Sequence, residues 1–126
     1  MRVLTKPASP RPRNGGPTPL RVKPVRLWFG LSQDAFARAL GVGRATVARW
    51  EAHNAGPNAN TAEGRLLAAM IEARDLAIKS LGPSHARKWL HDPAPTFDGQ
   101  QPIHVLVARG PIPIRDLLME SWESIY

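Results

Sequence analysis

Two short amphipathic stretches separated by Gly41-Val42-Gly43 constrain this chain more than any other feature. Ser32 suits an N-cap, and Asp34 falls in the first turn, where the helix dipole favours a carboxylate. Phe36, Ala37 and Leu40 then share one face of a helix over about 33–40. Beyond the glycine turn, Val47 and Trp50 mark the buried side of a second helix, about 44–52. Helices this short bury a face by crossing steeply, which needs a small residue at the crossing and a turn residue tolerant of positive φ. Ala37 and Gly41, four residues apart, fill those two places. Phe36, Leu40, Val42, Val47 and Trp50 surround them with no polar intruder, and the pattern predicts a helix-turn-helix over about 32–51.

The rest of the chain is punctuated for helices and shows no run that reads as a strand or an internal repeat. Pro24 opens an apolar segment, Val25 to Phe29, that Gly30 can end through the left-handed cap. Asn60 and Glu63 have capping-box spacing and open the longest helix, about 61–80. Leu67, Met70, Ile71, Ile78 and Leu81 form its stripe, while Ala68, Ala69, Ala73 and Ala77 allow close approach of another helix. Gly82-Pro83 stops it, and Ser84 is placed to cap a short helix containing Ala86, Trp89 and Leu90. Asp92-Pro93-Ala94-Pro95 ends that helix, since proline removes donors and restricts its neighbour. Two further helices are predicted over about 102–109 and 113–125, the last with Ile114, Leu117, Leu118, Trp122 and Ile125 along one edge.

Charge is distributed unevenly. The net charge is +7, and residues 1–33 carry Arg2, Lys6, Arg11, Arg13, Arg21, Lys23 and Arg26 with no acid at all. From Asp34 onward the charges balance. The first 23 residues are also rich in Pro and Gly, a composition that holds no helix and buries little. They read as a basic arm suited to phosphate contacts. The domain reading is thus an arm over 1–23, the helix-turn-helix with its long following helix over 24–81, and a smaller helical unit over 82–126. The absence of cysteine excludes disulfides and thiolate chemistry and fits a reducing cytoplasm. No apolar run approaches the roughly 20 residues of a membrane span, and the N-terminus lacks the apolar centre of a signal peptide, so a soluble intracellular protein is expected.

The segment from Leu31 to Glu51, LSQDAFARALGVGRATVARWE, resembles the Xre/Cro family of phage-repressor-like domains. The resemblance implies that the second helix of the motif enters the major groove of double-stranded operator DNA. Gly43, Arg44, Ala45 and Arg49 would then face bases, and Ser32, Gln33, Arg38 and Thr46 would face phosphates. Residue chemistry points the same way. Arg44 and Arg49 are five apart, about 140° around a helix, so that one can enter the groove while the other leans toward its wall. Arginine matches the O6 and N7 acceptors of guanine, a contact worth about 1–3 kcal/mol of discrimination. One departure from the family is visible: His53 stands where a glycine is frequent, ahead of a longer loop.

The C-terminal third carries Ala86-Arg87-Lys88-Trp89-Leu90 and then a loop with Gly99 and Pro102 three apart. This string resembles the toxin-binding domain of Xre/MbcA/ParS antitoxins. The resemblance implies an all-α chain, with a phage-repressor-like helix-turn-helix followed by a small helical toxin-binding domain. It also implies a RES-domain, NAD-consuming toxin as partner, neutralised at its active-site entrance. Trp122, Ile125 and Tyr126 at the chain end are the candidate toxin contacts.

No catalytic constellation is legible. His53, His85, His91 and His104 form no i, i+4 pair, so neither a zinc site nor a cofactor is expected, and the chain reads as a binding protein rather than an enzyme. Three functions stay open at this point. They are an autoregulating antitoxin, a stand-alone repressor whose C-terminal helices dimerise, and a protein inhibitor whose helix-turn-helix has lost DNA affinity. A homodimer or a larger complex with the toxin is expected, because helix-turn-helix proteins usually read symmetric sites.

Overall fold

The computed structural model describes residues 20–125, with side chains as far as Ser121. Seven α-helices and one 3-10 turn make up its regular structure, and no strand occurs among the described residues. In order they are α1 (Lys23–Phe29), α2 (Gln33–Leu40), α3 (Arg44–Ala52), α4 (Ala62–Leu81), α5 (Pro83–Leu90), the turn Pro95–Phe97, α6 (Pro102–Arg109) and α7 (Ile112–Ile125). The all-α expectation holds, and the predicted spans of α2, α3 and α6 coincide with those observed.

Local chemistry accounts for most of the ends. Ser32 caps α2 as expected, its Oγ accepting from the Ala35 N–H at 3.1 Å. Gly41 closes that helix at φ 71°, ψ 30°, and the next N–H, from Val42, reaches back to the Ala37 carbonyl at 3.0 Å. The expectation at Asn60 needs correction. The cap of α4 is Thr61, whose Oγ1 accepts from the Gly64 N–H at 3.0 Å. Asn58 causes the shift: its Oδ1 takes the Asn60 N–H at 2.9 Å, a local turn that delays helix entry by one residue. Ser84 is likewise not a cap. Gly82 holds that position, and Pro83 begins α5 because its fixed φ suits the first helical residue.

One contiguous core runs from Val22 to Leu118. Phe36, Val47, Leu67, Met70, Leu106 and Ile114 are among its fully buried side chains. The helix α4 packs chiefly against α7 and α5, while α2 packs against α3 and α6. Ala69, Ala73 and Ala77 are buried along α4, as their size suggested, but Ala68 is exposed. The core therefore crosses residue 81, and the C-terminal helices share it with the helix-turn-helix.

The arm boundary also lies earlier than expected. The Leu20 N–H donates to the Pro57 carbonyl and the Val22 N–H to that of Ala55, both at 3.2 Å, and Val22 is fully buried. This ladder requires Gly56, since a Cβ there would stand 1.5 Å from the Leu20 carbonyl oxygen. Residues 20–23 thus belong to the folded unit.

Candidate nucleic-acid interface

The helix α3 has two contrasting sides. Val47 is completely buried against α2, and Trp50 is half-buried against the core. The opposite side carries Ala45 and Arg49, both exposed, and the first helical residue, Arg44, is exposed behind an exposed Gly43 in extended conformation at the N-cap. Burying Val47 turns Ala45 and Arg49 about 160° away from it at about 100° per residue, whereas Arg44, about 60° from Val47, is exposed at the first position of the helix. The arrangement is a short helix held by its apolar side, with two guanidinium groups directed into solvent. Among the described residues neither arginine makes an ion pair within 4.0 Å.

The angle at which α3 is presented rests on Glu51. Its carboxylate accepts from Arg26 Nε and, at 2.9 Å, from Arg26 Nη2, while Gln33 Nε2 donates to Oε1 at 3.1 Å. Arg26 Nη1 also donates to the Leu31 carbonyl at 3.0 Å. A single carboxylate therefore joins α1, α2 and α3. The Arg26 hydrogen bonds hold the Glu51 carboxyl below its ordinary range, against the opposing effect of burial. They raise the Arg26 guanidinium in turn. Sequence reasoning assigned Gln33 to a phosphate and passed over Arg26 and Glu51. Partners 25 residues apart leave no local signal.

A cleft beside α3 gathers Gly43, Thr46 and Arg49 with Pro57, Asn58, Thr61 and Glu63 from the following loop and the start of α4. Three of the expected contact residues are thus brought together, and Asn58 and Thr61 join them without having been anticipated. Their signal was the Asn-Ala-Asn-Thr run, which reads only as a loop in the sequence. Ser32 and Arg38 line a different cleft, with Leu31, Ala35, Ile103 and the histidines His91 and His104. Arg38 pairs there with Asp34 at 3.3 Å, one turn earlier on α2. Of the candidate toxin contacts, Trp122 and Ile125 fall in the last turns of α7. The side chains of Trp122 and Ile125, and the whole of Tyr126, are outside the described residues.

Among the described residues no three His, Asp or Glu side chains converge on a position that could hold a metal ion. No helix there is long and apolar enough to cross a membrane.

Comparison with known proteins agrees with this geometry. Residues 23–63 match the helix-turn-helix family model. No curated protein sequence matches the chain significantly. Among solved structures, a chain of the M. tuberculosis MbcT-MbcA toxin-antitoxin complex shares the fold with a TM-score of 0.54 at 17% identity. The match covers 83% of the present chain and 93% of that one. Residues 23–63 thus match a helix-turn-helix model and sit within an all-helical fold shared with a chain of a toxin-antitoxin complex.

Proposed function

We propose that this protein is a cytoplasmic antitoxin that binds operator DNA through α3, represses its own operon and neutralises a RES-domain, NAD-consuming toxin. The observation that carries the DNA-binding part is the pair Arg44 and Arg49, exposed and, among the described residues, without ion pairs on a helix held by the buried Val47. In this reading Arg44, Ala45, Arg49 and the backbone at Gly43 meet base edges. Thr46, Ser32, Gln33 and Arg38 meet phosphates, with Gln33 contributing the amide hydrogen that Glu51 does not take. The fold shared with a component of a toxin-antitoxin complex supports the toxin-binding part. Trp122, Ile125 and Tyr126 are the contacts assigned to it. The protein acts by binding alone, without catalysis or cofactor, and as a homodimer or within a larger toxin-antitoxin assembly.

Co-expression with the product of the adjacent gene tests the proposal directly. A stable complex is expected, and NAD consumption by that product should fall to background within it. Removing Ser124 to Tyr126 should restore NAD consumption while leaving DNA binding intact. Full neutralisation by the shortened chain would rule out the chain end as the toxin contact. If the intact chain binds operator DNA but no neighbouring gene product, the protein is a repressor and the antitoxin reading fails.

A further inference from the structure

We infer that Glu63 determines specificity at the DNA surface by exclusion: its carboxylate keeps phosphates from settling between α3 and the start of α4, and so leaves Arg49 to read bases. The inference rests on the DNA-binding reading of α3 and adds to it a residue on α4.

Glu63 and Arg49 line the same cleft, with Gly43, Thr46, Asn58 and Thr61. Among the described residues they are the only charged side chains that do so. Arg49 is exposed and Glu63 is half-buried, and within the described residues neither makes an ion pair within 4.0 Å. By contrast, Asp34, Glu51, Glu72, Asp75, Asp92 and Asp116 each hold a cation. An unpaired carboxylate on a surface assigned to a polyanion opposes binding wherever a phosphate comes near it.

Without Glu63 the cleft would suit a phosphate. Arg49 supplies a cation, Thr46 and the amide of the exposed Asn58 supply neutral donors, and the N-terminus of the 20-residue α4 supplies a positive dipole end. Arg65, two residues beyond Glu63, is a further cation and donates to the Asn60 carbonyl at 2.9 Å. A phosphate drawn into this place would engage Arg49, and an arginine held on a phosphate carries no sequence information. Glu63 lies in the first turn of α4, where its own charge already answers the dipole and repels a second anion. Phosphate contact is thereby confined to the α3 side of the cleft, at Thr46, and Arg49 stays available to base edges.

The test compares the full chain with its Glu63→Gln and Glu63→Asp variants, after thermal melts have checked that each retains the fold. Binding to a duplex of random sequence and to the upstream region of the operon is measured across a salt series. Glu63→Gln should bind the random duplex more tightly, by at least about threefold at low salt. Its slope of log K against log salt on that duplex should steepen by about 0.9, the value of one added phosphate contact. The upstream region should gain less, so that preference for it falls. Glu63→Asp keeps the charge and should match the unaltered protein on both duplexes. In an Arg49→Ala background the fall in preference should vanish, because no base-reading arginine remains to be diverted.

Unchanged binding of the random duplex by Glu63→Gln overturns the inference and leaves Glu63 as a helix-stabilising acid, with the α3 reading intact. Weaker binding confined to the upstream region overturns it too, since Glu63 would then accept a hydrogen bond from a base. An equal gain on both duplexes overturns the specificity role. Failure of the unaltered chain to bind either duplex overturns the α3 reading itself.

Discussion

Arg26 on α1 and Glu51 at the end of α3 are joined by two hydrogen bonds, from Nε to Oε2 and from Nη2 to Oε1, with side chains 15% and 7% exposed. Side-on pairing of a guanidinium with a carboxylate fixes direction as well as distance. Both partners are mostly withdrawn from water, so losing either one leaves the other charge poorly solvated. The pair thereby sets the tilt of the helix that carries Arg44 and Arg49.

A pH dependence follows from Glu51. Its carboxyl is held below the ordinary glutamate range by the Arg26 hydrogen bonds. A carboxyl depressed in the folded state contributes stability that is fully present above its unfolded value and is lost as pH falls through the folded one. Arg26, whose guanidinium is pushed up by the Glu51 hydrogen bonds, contributes over the entire practical pH range. Glu51→Gln should therefore unfold at lower temperature near pH 7, with a deficit of about 2–4 kcal/mol. The gap to the unaltered protein should close in thermal melts taken progressively below about pH 4.5. A gap that stays constant down to pH 2 would contradict this assignment.

Gly64 offers a test with an inverted sign. Within an exposed helix, Gly→Ala stabilises by about 1 kcal/mol. Here the new Cβ would stand 2.0 Å from the Asn58 carbonyl oxygen and 3.0 Å from the Cα of Ala59, both backbone atoms. Gly64→Ala is expected to destabilise by about 1–3 kcal/mol, the usual range for overpacking. Urea unfolding measures it, and any rise in the midpoint would refute the close approach.

The two capping candidates at the start of α4 separate cleanly. Thr61 Oγ1 holds the Gly64 N–H, while the Asn60 side chain makes no hydrogen bond to the first turn of α4. Thr61→Ala should cost about 1 kcal/mol, and Asn60→Ala should cost a few tenths at most. Equal losses in denaturant midpoints would return the cap to Asn60.

Arg44→Ala tests base reading by α3. Arg44 is exposed at the first position of that helix. Its loss should reduce preference for operator over random DNA by about 1–3 kcal/mol. Competition binding at fixed salt gives that ratio. Equal weakening on both duplexes would make Arg44 a phosphate contact instead.

How much of this was legible beforehand depends on the range of the interactions. Three helix spans, the Ser32 cap and the Ala37–Gly41 crossing were readable, because periodicity, capping and turn chemistry all act within about five residues. The exposure of Ala45 and Arg49 followed from the same periodicity once Val47 was taken as buried, and that of Arg44 from its place at the start of the helix. Periodicity also announced an apolar edge on α7 and small residues on α4, and α7 does pack against α4.

The local sequence determined which segments are helices and which face of each is apolar. Tertiary structure alone decided what covers those faces. It set α6 against α2, carried one core across residue 81 and drew Val22 into it. It also made Arg26, counted only among the cations of residues 1–33, the partner of Glu51. A buried face specifies only that something apolar must cover it, and a charge specifies only that it needs an opposite or water. Which of the available partners satisfies each demand is settled when all the helices close on one core together.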